Sequence, residues 1–221
     1  MSELINALNR IENFVQYYSQ KSDNGLFGLA PGLSQAEIEE IIEQHIKLYN
    51  VYYGRDGFSP PLIFSQEIYE LYQWHNGESP GVSFINHNYS FWGLKDAIHI
   101  IIEQPQLWLF SDEGGHYMVV GSKEKHETSP VYIDSTRHEC YSSLTEMMQK
   151  IAEVLDITLN LLHERGNFDG DEQERLESWR SIMGYMLDNE DYYHWDLRLL
   201  DIGEFLSTAL NVYGWMEPRK Y

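Results

Sequence analysis

Apolar residues are spaced along this chain in two rhythms. In one they recur every three or four positions, which is how a helix buries a single stripe. In the other they form short unbroken runs bounded by Gly, Pro, Ser and Asp, which is how strands read. The second rhythm is clearest from Leu107 to Asp134. Leu107-Trp108-Leu109-Phe110, Tyr117-Met118-Val119-Val120 and Val131-Tyr132-Ile133 are three such runs. Ser111-Asp112-Glu113-Gly114-Gly115 between the first two supplies turn chemistry, because glycine reaches positive φ without a Cβ clash. Three strands in this order predict an antiparallel meander, and the helices on either side need such a surface to pack on.

The helical rhythm appears first at residues 3–18, where Leu4, Leu8, Ile11, Val15 and Tyr18 share a face. Glu3 and Glu12 on its polar face argue for core packing over contact with an anionic membrane. Ser19 to Gly32 is polar and glycine-rich and reads as a loop. Ser34-Gln35-Ala36-Glu37 is a capping box, in which serine and glutamate satisfy each other's backbone N–H groups. It opens a helix over about 35–49, with Leu33, Ile38, Ile41, Ile42 and Ile46 inward. Glu37, Glu39, Glu40 and Glu43 lie towards the end where the helix dipole favours negative charge.

Tyr52 to Pro61 reads as a loop. Ser65 is placed to cap a second helix running to about His75, with Ile68, Leu71 and Tyr72 inward and Asn76-Gly77 as its stop. Val82–Ile85 and Tyr89–Trp92 around Asn86-His87-Asn88 predict a hairpin. Leu94, Ile98, Ile101 and Ile102 predict a short helix stopped before Pro105. Ser143-Leu144-Thr145-Glu146 is a second capping box. It opens a helix with Leu144, Met147, Met148, Ile151, Leu155, Thr158 and Leu162 on one face. Gly166 to Asp171 breaks that helix, and two more follow at about 172–187 and 196–213. The elements predict an α+β fold: a central, largely antiparallel sheet flanked by helices, with a C-terminal helical extension.

Charge changes this picture more than composition does. The 221 residues are 43% hydrophobic and 23% charged, ordinary for a globular chain. Yet 35 acidic residues stand against 15 basic ones, a net charge of −20 and a pI near 4.6. Such a field repels nucleic acid and anionic membrane and attracts basic partners over about 8 Å at physiological salt. Cys140 is the only cysteine, so neither an intrachain disulfide nor a cysteine zinc cluster can form, which suits a reducing compartment. With no secretory signal pattern and no long apolar run, a cytoplasmic location is expected.

Candidate chemistry narrows further. No two of the nine histidines lie four apart, as a HExxH helix requires. His138-Glu139-Cys140 lacks the later cysteine pair of a zinc deaminase. Asn167-Phe168-Asp169-Gly170-Asp171 has a calcium-loop look. With Gly170 as the turn glycine, however, Arg165 and Leu176 fall where oxygen ligands are needed. There is no phosphate loop, dinucleotide fingerprint or GxSxG elbow. Cys140 beside His138, between a strand and a helix, reads as incidental. Neither cofactor nor metal nor catalytic residue is expected. What remains is a surface of acids and rings. Residues 164–204 carry twelve Asp and Glu against four Arg, interleaved with Trp179, Tyr185, Tyr192, Tyr193 and Trp195. Rings of this kind anchor in a partner's pockets while charge steers it, or they simply pack helices onto the sheet.

In their order, Gly32-Leu33-Ser34, a capped helix, a proline-bearing loop, a helix ending in Trp74-His75-Asn76-Gly77, and the Trp108-to-Gly115 turn resemble the SUKH superfamily. That group includes the fungal cell-wall-assembly regulators and many bacterial immunity proteins. The likeness covers about residues 30–160, including Val131-Tyr132-Ile133-Asp134 and the Ser143-Leu144 helix. It divides the chain into an N-terminal helix and loop (1–30), a SUKH-like α+β domain (31–163) and an acidic helical extension (164–221). The resemblance implies helices around a central sheet and no catalytic residues. Bacterial members bind and neutralise a cognate polymorphic toxin, often a nuclease, whose basic substrate cleft suits an acidic binder. The expected function is therefore that of a non-catalytic immunity protein. Asp112 and Glu113 at a hairpin tip, and Asp169, Asp171, Glu172 and Glu174 in the acidic loop, are its candidate partner-binding residues. A regulatory adaptor of the fungal kind and an enzyme are the alternative readings.

Overall fold

The computed structural model describes residues 2–21, 29–53, 63–78, 90–100, 105–111, 116–122, 125–133 and 138–165. It has an α+β fold. In chain order the elements are α1 (Glu3–Lys21), β1 (Leu29–Pro31), α2 (Gln35–Tyr53), α3 (Gln66–Trp74), β2 (His75–Glu78), β3 (Ser90–Phe91), α4 (Leu94–Ala97) and β4 (Ile98–Ile100). β5 (Pro105–Ser111), β6 (His116–Val120), β7 (Val131–Ile133), β8 (His138–Tyr141) and α5 (Leu144–Arg165) follow. The expected hairpin partner at 82–85 and the two helices after residue 171 lie outside the described residues, as does the 164–221 extension beyond Arg165.

The predicted meander is present and is the middle of a larger sheet. β5, β6, β7 and β8 pair antiparallel in sequence order. β3 and β4 both pair with the free edge of β5, at its C-terminal and N-terminal ends respectively, and α4 bridges them. The register between β5 and β6 shifts between Trp108 and Phe110. That bulge lets Leu109 and Phe110, adjacent in sequence, both join the core, where strict alternation would turn one of them away. Leu107, Phe110, Tyr117, Val119 and Val131 meet Leu4, Leu8 and Ile11 of α1, Ile68 and Leu71 of α3, and Met147, Ile151 and Leu155 of α5 in one hydrophobic cluster. α1 is thus part of the same core as the sheet. Arg10 of α1 reaches Asp156 of α5 at 2.6 Å, reinforcing their packing.

Four local expectations are corrected. Residues 29–31, read as loop, form β1 and pair with β2. Asn76-Gly77 does not stop α3. The helix ends at Trp74 with an extended His75, and Asn76-Gly77 lie within β2. The helix expected from Leu94 to Ile102 is a four-residue turn followed by a strand, because the edge of β5 offers Ile98–Ile100 a ladder to join. Cys140 lies inside β8 and not between a strand and a helix. The helix at 35–49, by contrast, is present and runs on to Tyr53.

Tight backbone contacts explain two glycines. A Cβ on Gly32 would stand 1.9 Å from the Gln73 carbonyl oxygen. The chain passes over the end of α3 there, and Leu33 N–H donates to the Tyr72 carbonyl at 2.8 Å. This satisfies one of the carbonyls a helix end leaves without an intrahelical partner. Gly77 adopts φ 88°, and a Cβ on it would lie 2.4 Å from Gly93 N. Both capping boxes hold glutamates in place. Glu37 Oε2 accepts from Ser34 N at 2.7 Å, while Glu37 N donates to Ser34 Oγ at 3.3 Å. At α5 the exchange is split, with Glu146 N donating to Ser143 Oγ and Glu146 Oε2 accepting from Ser142 N and Oγ.

Gly32→Ala is expected to cost at least about 2 kcal/mol in urea unfolding, since backbone must move to admit the methyl group. The Ser142 hydroxyl and backbone N–H hold the Glu146 carboxyl below its ordinary 4.5. A depressed folded-state value adds stability that is fully present above about pH 4.5 and is lost as pH falls through the lowered value. Glu146→Gln should therefore flatten the acid limb of the unfolding midpoint below pH 4.5 and leave its shape at neutral pH unchanged.

Candidate functional site

A polar side chain folded into the interior is committed to the contacts that satisfy it there. Glu67, in the first turn of α3, is 5% exposed. Its carboxylate accepts from Ser129 N at 2.8 Å, Thr145 N at 2.8 Å, Thr145 Oγ1 at 2.6 Å and Leu144 N at 3.3 Å. The two amides at 144 and 145 open α5, where the first N–H groups lack intrahelical partners and the dipole favours an anion. Glu67 is thus the cap of a helix 77 residues away.

Around it, Gln66 N and Glu67 N donate to the carbonyls of His126 and Glu127, both at 3.4 Å. Those bonds do the work expected of Ser65. Ser65 occupies the cap position of α3 but makes no side-chain cap bond, and its hydroxyl is buried without a partner. This corrects the expectation that Ser65 caps α3.

A second polar contact joins β2 to α1. His75 Nε2 lies 2.7 Å from Glu12 Oε2, and His75 Nδ1 lies 2.8 Å from the Ala30 carbonyl oxygen. Both ring nitrogens face oxygen acceptors, so both bonds are made together when the ring carries both N–H groups. Asn76 Oδ1 accepts from Leu94 N at 2.8 Å and starts α4. Tyr72 is fully buried, donates to the Trp92 carbonyl at 3.1 Å, and has its phenol pushed up by burial. On the sheet face that Trp108 shares with Met118 and Tyr132, His99 stacks on Trp108 with ring centroids 3.6 Å apart. These groups hold elements together, and each contact has a structural use. No group of three or more His, Cys, Asp or Glu able to hold a metal ion occurs among the described residues.

The surface offers a different arrangement on α2. Ile38, Ile42 and Ile46 bury one side of that helix. Glu37, Glu39, Glu40, Glu43, Gln44, Lys47, Leu48 and Val51 are exposed. Lys47 is spent on Glu43 at 2.9 Å. Glu37 is held below the ordinary carboxylate range by the Ser34 hydroxyl and amide, so it is firmly anionic at neutral pH. Leu48 and Val51 are 57% and 81% exposed and are the exposed large hydrophobics among the described residues.

The six residues singled out from sequence, Asp112, Glu113, Asp169, Asp171, Glu172 and Glu174, all lie outside the described residues. The α2 surface was not among them. Its acids read as dipole-complementing residues of a capped helix. The signal that sets it apart is the return of apolar residues, Leu48 and Val51, to the polar side after Lys47. No family model matches the chain, and neither does any curated protein sequence.

Replacing Glu67 by Ala leaves the Ser129, Leu144 and Thr145 amides without their acceptor. The expected cost is on the order of 3 kcal/mol, from the ~1–3 kcal/mol of each buried donor left unmatched. The denaturant midpoint reads the loss, and faster amide exchange at Thr145 than at mid-helix Ile151 locates it.

Proposed function

We propose that this chain is a non-catalytic, cytoplasmic immunity protein of the SUKH kind, which neutralises a cognate toxin by covering a basic surface with its own acidic one. The observation that carries this reading is the charge: −20 over 221 residues, with four glutamates exposed along α2 against one paired lysine. A nuclease toxin suits it, because a cleft built for phosphates is rich in Lys and Arg. An acidic protein is drawn to that cleft and occludes it.

The SUKH resemblance supports the reading through its motif residues. Gly32-Leu33 closes over the end of α3, and Gly77 sits against Gly93, so these positions are tied to an arrangement of elements. Burial of the Glu67 carboxylate among four donors fits a structural part for that acid. Among the described residues no helix is long and apolar enough to cross a membrane, consistent with action on a protein partner away from the bilayer.

The test is co-expression with the product of the adjacent gene. An immunity protein should co-purify with a large toxin encoded there and protect the producing cell from it. The association rate should fall roughly tenfold or more between low and physiological salt, as for other electrostatically steered pairs. A neighbouring gene that encodes no toxin, together with binding to a protein that is not a toxin, would favour a regulatory adaptor of the cell-wall-assembly-regulator type instead.

A further inference from the structure

We propose that the outer stripe of α2, formed by Glu37, Glu40, Gln44, Leu48 and Val51, is a docking site for a basic protein surface that presents an apolar side chain. The proposal rests on the immunity reading and names the surface it would use. On a helix turning about 100° per residue, these five positions fall within an arc of about 80°, away from the buried Ile38, Ile42 and Ile46. From Glu40 to Val51 the stripe is about 16 Å long. Its N-terminal part is anionic and its C-terminal part apolar.

Single exposed apolar residues on a surface need no explanation. Here two of them, 57% and 81% exposed, stand three positions apart on one helix face and follow Glu37, Glu40 and Gln44, whose amide donates to Glu40 at 2.9 Å. That is the composition of an interface anchor with a charged rim, in which the apolar pair fills a partner's pocket while the acids orient it.

Charge decides between occupants. A second copy of this chain would bring its own Glu37 and Glu40 against these, since a two-fold contact sets a patch against itself. Like charges then oppose association, and the lysine near them, Lys47, already pairs with Glu43. A surface bearing Arg or Lys around an apolar side chain meets both halves of the stripe with complementary chemistry.

The experiment uses the full chain and a fluorescent eighteen-residue amphipathic helix of leucine and lysine as the probe, followed by anisotropy. Wild type should bind it. Leu48→Gln with Val51→Gln, which leaves net charge unchanged, should weaken binding at least tenfold. Glu37→Gln with Glu40→Gln should weaken it and flatten its salt dependence, glutamine being able to serve in the capping box as glutamate does. Glu153→Gln on α5 is the control and should change affinity less than twofold. Val51→Gln alone serves if the double variant loses its circular dichroism.

Failure of wild type to bind, or equal binding by the Leu48/Val51 double variant, overturns the proposal. So does self-association of wild type that the double variant abolishes. A neighbouring toxin that fails to bind wild type overturns the immunity reading instead, and the peptide measurement distinguishes the two failures.

Discussion

The Glu67 carboxylate is the interaction on which the arrangement of elements depends. A buried anion is costly unless its lone pairs are met, and here they are met by one hydroxyl and three amides from two separate segments. In return it satisfies the Leu144 and Thr145 amides that open α5. Glu146 N is taken by Ser143 Oγ, so Leu144, Thr145 and Glu146 all have acceptors at the start of that helix. The 125–130 segment is tied in the same stroke, giving carbonyls to α3 and an amide to its glutamate. These bonds hold the N-terminal end of α5 against the first turn of α3. The apolar face of α5 joins Leu8 and Ile11 of α1 in one hydrophobic cluster.

That dependence explains what was legible in the residues and what was not. The two capping boxes, the stripes of α1, α2 and α5, and the three central strands are local patterns, and a local pattern is readable where its neighbours agree with it. Ser65 misleads because its signal is local while the solution is not. The carbonyls of His126 and Glu127 arrive from some sixty residues away and displace the serine from its usual part. Ile98 misleads in the opposite sense. Its helical spacing from Leu94 is genuine for one turn, but an open strand edge offers hydrogen bonds that a short isolated helix cannot match. Asn76-Gly77 reads as a helix stop because positive φ is common there. At Gly77 the φ is positive, yet the residue lies within β2, where the Gly93 backbone leaves no room for a Cβ. Glu67 itself carries no signal, since a glutamate in a first helical turn is ordinary.

For the candidate surface the position is reversed. A negative net charge is read from composition, but composition does not say which carboxylates face outward together. The fold does that for α2 by turning its isoleucines inward and leaving its glutamates, Leu48 and Val51 on the far side. Glu67 shows the other fate of an acid in this chain. Its charge is matched by interior donors and is of no use to a partner.

Acid and apolar groups also act on different stages of association. Exposed carboxylates exert their pull over about a Debye length, roughly 8 Å, so they act on encounter and orientation before contact. Once the surfaces meet, water and salt screen rim pairs, and such pairs contribute little to how long a complex lasts. An apolar side chain does the opposite, being silent at a distance and effective when water leaves it. A binder relying on charge alone would meet basic surfaces quickly and release them quickly. On the proposed reading, Leu48 and Val51 at the end of an acidic run would join fast capture to slow release on one helix face.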